Sequence, residues 1–308
     1  MMRWDSGGLV FNSPQLIYLD QSDLSHLALG RLPEEAALLK DLCNRGQAMP
    51  VFSFTHTIET WKLHGTDTQS RIVSLVDSFA QRLWNLPRFT FEVEVASAFF
   101  HWFGLAFNVN PLKKSINDFY YAQEKGPLLI QLKEPGFADI LRLNSQNAQL
   151  SAMLANLTWM PGLLPEAVLA FRRNIKVRGT RSVMRVYDEK FGRFLIEYVP
   201  ERFPSGDFVP LCKRQAFIGL HPWRDYATLP MAYIWSEVGK LMARGAAGNV
   251  KPSQLMDFEH LSALPYVDYF LCDRQTFQLL KIAKIPNQYL SRVHCNLKEA
   301  LHLVAQAA

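Results

Sequence analysis

Acidic residues at the ends of short apolar runs constrain this chain more than any other feature of its sequence. Near the C-terminus, Asp257 opens a segment of helical pattern that continues to about Leu264, where Pro265 marks its end. Val267 to Cys272 follows, rich in aliphatic and aromatic residues as strands are. Asp273 closes it, and a new helix begins near Arg274. The same grammar recurs at the other end of the chain. Leu16-Ile17-Tyr18-Leu19 is closed by Asp20, and Val51-Phe52-Ser53-Phe54-Thr55 leads into a helix carrying Glu59 one turn in. A parallel sheet would gather the carboxyl ends of such strands, which is where α/β sheets bind ligands. Asp20, Glu59, Asp257 and Asp273 can then converge, and acids there point to an ion or a phosphoryl group.

Between these landmarks the pattern predicts an α/β chain with a long interruption. Gln21-Ser22-Asp23 caps a helix to about Leu29, and Pro33 with Glu34-Glu35 opens a second to about Asn44. A second strand follows Pro50, and a helix from Thr55 to Leu63 carries Glu59. His56 and His64 lie near it and read better as packing or surface residues than as substrate contacts. Ile72, Leu75, Val76, Phe79 and Leu83 recur at helical spacing, which predicts one amphipathic helix over Asp67 to Trp84. Partial alternation over Arg88 to Val95 suggests a third strand, with a helix beginning somewhere from Glu92 to Ala96 as the alternative. Residues 100–250 carry no strand–acid grammar. Met153 to Leu157, Leu164 to Phe171, Met184 to Tyr198 and Met231 to Ala243 read as helices there. So long a stretch exceeds an ordinary connection. The expected domains are therefore a core of residues 14–99 and 251–308 and a mainly helical insertion of residues 100–250. Ile282 to Ile285 or Arg292 to Cys295 supplies a last strand, and Leu297 to Ala305 a closing helix.

Composition sets the class. The chain has 308 residues, 49% hydrophobic and 20% charged, as a globular core of ordinary size requires. No apolar run reaches the length of a membrane span, and Met1 to Ser6 lacks the apolar stretch of a signal peptide. Cys43, Cys212, Cys272 and Cys295 are too far apart for a zinc knuckle and read as free thiols of a reducing compartment. The expectation is a cytoplasmic protein with no membrane partner.

Four converging carboxylates repel one another, and a hard divalent cation relieves that cost by taking oxygen ligands. Mg²⁺ or Mn²⁺ fits this donor set, and no His/Cys pattern competes as a zinc site. The alternative is that Asp257 and Asp273 are ordinary helix N-caps. Other phosphate-handling folds lack their signatures here: there is no Gly-x-Gly-x-x-Gly and no Gly-Lys-Ser/Thr. A haloacid-dehalogenase-like site would want a second Asp two residues after Asp20, where Ser22 stands.

On these residues the chain resembles PIN-domain-like nucleases of the Mg²⁺-dependent ribonuclease type. Ile17-Tyr18-Leu19-Asp20 matches the family's first motif, and Glu59 its acid early in the helix after strand two. Asp257-Phe258-Glu259-His260-Leu261-Ser262-Ala263 matches its third motif, and Asp273 with Phe277 its fourth. The family's usual Thr before that last acid is Cys272 here, which removes a hydroxyl contact. The resemblance covers about residues 14–95 and 250–300. It implies a short parallel sheet flanked by helices and metal-dependent phosphodiester hydrolysis, most naturally of RNA, leaving 5′-phosphate and 3′-hydroxyl ends. It makes Asp20, Glu59, Asp257 and Asp273 the metal-binding and catalytic residues. Asp23 and Asp268 are candidate outer-shell acids, although Asp268 begins the strand that Asp273 ends and should sit away from the centre. A non-catalytic RNA- or protein-binding module, or a DNA or flap nuclease, is the alternative.

A basic stretch adds a counterpart to the acids. Arg172, Arg173, Lys176, Arg178, Arg181, Arg185, Lys190 and Arg193 face only Asp188 and Glu189, a local charge of +6 against +5 for the whole chain. Cations held apart from the metal-binding acids are what a nuclease needs to grip backbone phosphates. The first six are the candidate nucleic-acid contacts, with single-stranded or structured RNA as the partner. An acidic inhibitor protein is the other occupant such a stretch would suit. Tyr187, Phe191 and Phe194 are interleaved, and read better as core than as base-stacking groups.

Overall fold

A computed structural model describes residues 13–63, 65–107, 109–113, 137–138, 141, 179–244 and 258–307. The protein is an α/β sheet flanked by helices, joined by a distinct helical insertion. The first half of the chain runs β1 (Gln15–Tyr18), α1 (Gln21–Ala28), α2 (Pro33–Asn44), β2 (Ala48–Ser53), α3 (Phe54–Lys62), α4 (Asp67–Ser78), β3 (Leu83–Asn85), α5 (Pro87–Trp102) and β4 (Leu112–Lys113). The insertion supplies α6 (Thr180–Leu195), α7 (Leu211–Gly219) and α8 (Pro230–Arg244). The chain closes with a 3-10 segment (Leu261–Tyr266), β5 (Tyr269–Leu271), α9 (Arg274–Ile282), α10 (Asn287–Leu290), β6 (Val293–His294) and α11 (Leu297–Ala307).

The sheet order is β4-β3-β2-β1-β5-β6. Every pairing is parallel except β3 with β4 at one edge. The chain winds outward from β1 to β2 and β3, then returns to build β5 and β6 on the other side of β1. In open α/β sheets such a reversal sets a ligand-binding crevice outside the carboxyl ends of the strands, here β1 and β5.

Both faces of the sheet are covered, so its strands are apolar on both sides, as parallel strands usually are. Ile17, Leu19, Phe52 and Leu271 pack with α1, α2, α4 and α11. Tyr18, Val51 and Phe270 point the other way and join α5, α8 and the insertion in a second cluster. In that cluster Phe91 of α5 meets Phe194 of α6, Tyr198 and Trp235 of α8, with ring centroids 5.2–5.6 Å apart. Tyr187, Phe191 and Phe194 are buried here, so base stacking is not their role. Met153 to Leu157 and Leu164 to Phe171 lie outside the described residues.

Three sequence expectations are corrected. The helix predicted over Asp67 to Trp84 stops at Ser78, and Leu83–Asn85 forms β3. Trp84 then packs on Phe52 at 5.9 Å. The strand predicted within Arg88 to Val95 is instead part of α5, which Pro87 opens from its first turn. Pro50 lies inside β2 rather than before it. It pairs with Ile17, and β3 begins only opposite Val51. At Pro50 the strand therefore has a ladder neighbour on one side, which is where a residue without an N–H is tolerated.

Candidate active site

The crevice is built by strands of unequal reach. Tyr18 pairs with Phe270 in the β1–β5 ladder, and continuing that register puts Asp20 level with Cys272, one residue before Asp273. Neighbouring strands lie about 4.8 Å apart, so the two acids close the same end of the sheet side by side. Asp20 is the N-cap of α1 in extended conformation, yet its side chain makes no capping bond. It accepts instead from the Ser22 hydroxyl at 2.6 Å. Asp273 is a true N-cap: its Oδ1 accepts from the backbone N–H of Thr276 at 2.6 Å. The two acids are thus equivalent in sequence and different in role. One is committed in part to starting α9, and the other is held only by a short local hydroxyl.

Asp23 stands one turn beyond Asp20. Burial, assisted by the charge of Asp20, pushes its carboxyl up to about 6. Asp268 lies at the opposite end of β5, where its Oδ2 accepts from the N–H of Leu16 at 2.8 Å. It therefore closes the amino end of the sheet and stands apart from the crevice, which removes it as an outer-shell acid.

Glu59 reaches the site from α3 and is bound to His260. The two are 3.0 Å apart, through Oε2 and Nε2. Burial alone would raise the Glu59 carboxyl; the charge and hydrogen bond of His260 outweigh it and hold the group below its usual range. Behind His260 lies a chain of buried polar groups. Its Nδ1 makes a short hydrogen bond with the Tyr18 hydroxyl, which donates to Ser53 Oγ at 2.7 Å. Ser53 Oγ lies 3.1 Å from His56 Nδ1, and His56 Nε2 donates to the Leu19 carbonyl at 2.9 Å. His260 thus stands between two partners, with Nε2 facing the Glu59 carboxylate and Nδ1 facing the Tyr18 hydroxyl. His56 stays neutral: burial drives it down to about 3. Its Nδ1 also accepts the backbone N–H of Ser53 at 2.9 Å, so this histidine is a packing residue at the β2–α3 corner.

Glu259 enters the same region fully buried, 3.4 Å from the hydroxyl of Thr55. Burial pushes its carboxyl up to about 8. Tyr18, Ser53, Glu259 and His260 were not singled out by the sequence. The signal available for two of them was local: Glu259 and His260 are polar residues inside an apolar segment, and a buried polar group demands a partner.

Among the described residues, no three His, Cys, Asp or Glu side chains come together as a group that could hold a metal ion. Asp257 lies outside the described residues, and the three expected acids that are described, Asp20, Glu59 and Asp273, are not brought together as such a group. Of the basic stretch, Arg172, Arg173, Lys176 and Arg178 also lie outside. Arg181 sits in the first turn of α6, and Arg185 is exposed on that helix, 3.1 Å from Glu189. Cys272 and Cys295 are free thiols at the ends of β5 and β6, and burial raises both. No helix among the described residues is long and apolar enough to cross a membrane. Comparison with known protein families, with curated proteins and with solved structures found no match.

Proposed function

We propose that this protein is a PIN-domain-like, divalent-metal-dependent phosphodiester hydrolase acting on RNA and leaving 5′-phosphate and 3′-hydroxyl ends. The observation that carries this reading is that Asp20 and Asp273 each follow the carboxyl end of one of the two adjacent strands β1 and β5, where the strand order reverses. Their chemistry fits the cation: carboxylate oxygens are the donors that Mg²⁺ and Mn²⁺ take, and Asp20 spends no oxygen on capping α1. Asp20 and Asp257 would anchor the ion, with Glu59 and Asp273 completing its shell. A bound Mg²⁺ or Mn²⁺ supplies an activated water and charge for the non-bridging phosphate oxygens. Asp23, with its carboxyl near 6, can hold a proton beside Asp20. Arg172, Arg173, Lys176, Arg178, Arg181 and Arg185 would grip the backbone at a distance from the acids.

The test incubates purified protein with single-stranded RNA and DNA in Mg²⁺, Mn²⁺ or EDTA, beside the Asp20→Asn protein. Cleavage of RNA in either metal, abolished by EDTA and by the substitution, is expected. Cleavage that persists equally in EDTA or in the variant refutes the mechanism. A second reading is favoured by one observation, the lack of a three-group metal cluster among the described residues. It makes the protein a non-catalytic RNA- or protein-binding module, and absence of Mg²⁺ and Mn²⁺ binding at millimolar concentration would select it.

A further inference from the structure

The relay that ends on Glu59 is more than core packing. His260, Tyr18, Ser53 and His56 are almost wholly buried, between 0% and 4% exposed, whereas the Glu59 side chain is 20% exposed. Of these five side chains, Glu59 alone reaches the surface. The relay also joins the segments that carry the candidate acids. Tyr18 stands two residues before Asp20, His260 stands three after Asp257, and Glu59 is itself one of the set. A cluster of buried polar groups costs desolvation that an apolar core would avoid. Its retention next to a half-buried carboxylate at the strand ends asks for a role in holding that carboxylate.

We propose that His260 is the positioning residue of this site, braced by Tyr18 and Ser53 so that its Nε2 fixes the Glu59 carboxylate at the crevice. The inference rests on the metal-dependent nuclease reading and adds to it a residue that touches neither metal nor substrate. The Tyr18 hydroxyl sets the orientation of the His260 ring, and the Tyr18 ring is itself stacked on Phe270, with centroids 5.0 Å apart. Glu59 in turn is offered with Oε2 engaged, so the orientation of the carboxylate is settled before a cation arrives. Preorganisation of this kind acts on ion affinity and on turnover, and leaves binding of the RNA strand alone.

Two substitutions separate the two sides of the ring. His260→Gln keeps an amide N–H where Nε2 donates to Glu59. His260→Asn is shorter, keeps a polar group toward Tyr18 and loses the reach to Glu59. Mn²⁺ affinity is read from the free-ion signal in electron paramagnetic resonance, and kcat and KM from cleavage of an RNA oligonucleotide. His260→Asn is expected to lose about 10–100-fold in kcat and about tenfold in Mn²⁺ affinity, with KM for RNA unchanged, as for other partners that orient metal ligands. His260→Gln should recover most of both losses. Equal behaviour of His260→Asn and the wild type overturns the proposal, as does a loss confined to KM. Should His260→Asn fail to fold, Tyr18→Phe carries the test, since it removes only the hydroxyl. It is expected to weaken Mn²⁺ binding severalfold, and unchanged binding overturns the proposal. If the wild type itself binds no Mn²⁺, the nuclease reading falls and the proposal with it, an outcome distinct from failure of the variants alone.

Discussion

Glu94 offers a prediction in which two effects oppose each other and the winner can be measured. Its carboxylate, buried on α5, accepts the backbone N–H groups of Met231 at 2.8 Å and Ala232 at 3.0 Å, and a short hydrogen bond from the Tyr266 hydroxyl. Donors at the first turn of α8 favour the ionised form. Burial favours the neutral form and prevails, pushing the group from 4.5 to about 7. A carboxyl raised in the folded state stabilises the protein fully below its unfolded value, and that stability is lost as pH rises to the folded one. Between pH 4.5 and 7 the loss amounts to about 3 kcal/mol for Glu94. Glu94→Gln does not titrate, and it mismatches one donor at a cost of about 1–3 kcal/mol. In urea unfolding followed by tryptophan fluorescence, the variant should therefore be the less stable protein at pH 5. It should draw level with or pass the wild type by pH 8. A gap that widens as pH rises would show that the α8 N–H groups, not burial, decide the charge of Glu94.

Three further predictions follow from single contacts or charges. At Gly192, inside α6, a Cβ would lie 2.7 Å from Cη2 of the buried Trp223. Gly192→Ala should thus lower the melting temperature, because overpacking of about 1–3 kcal/mol exceeds the gain in helix propensity of about 1 kcal/mol. Asp20→Asn removes a charge that raises Asp23, so in metal-free buffer the Asp23 carboxyl should titrate below about 6 by NMR, with thermal stability equal or higher. An unchanged Asp23 titration would show that burial alone raises it. Replacing Arg172 and Arg173 with Ala should weaken RNA binding and flatten its salt dependence in fluorescence anisotropy; an unchanged salt slope would detach these residues from the phosphates.

The elements that could be read from sequence were those with punctuation. Pro33 opens α2, Gly30 and Gly46 end the turns after the first two helices, and Asp273 caps α9, so their positions were legible. The three-residue β3 was not, because a strand so short carries no period. Its Leu83 continued the helical spacing of α4 while the chain had already left that helix at Ser78. α5 was obscured for a different reason. It is buried on several sides, with Phe91, Val93, Val95, Ala96 and Phe99 all in the core, and so it lacks a polar face. At the site, the neighbouring positions of Asp20 and Asp273 follow from strand ends alone. The bond between Tyr18 and His260 spans 242 residues, and an aromatic residue inside an apolar strand looks the same whether or not its hydroxyl has work to do.

The central claim is that Asp20, Glu59, Asp257 and Asp273 together hold a divalent cation at the ends of the strands. Isothermal titration of the metal-free protein with Mn²⁺ tests it most directly, with Asp20→Asn and Asp257→Asn proteins alongside and folding checked by circular dichroism. The account predicts saturable binding by the wild type at or below millimolar Mn²⁺ and a marked loss in both variants, which remain folded. Binding of equal strength in all three proteins, or none in the wild type, contradicts it.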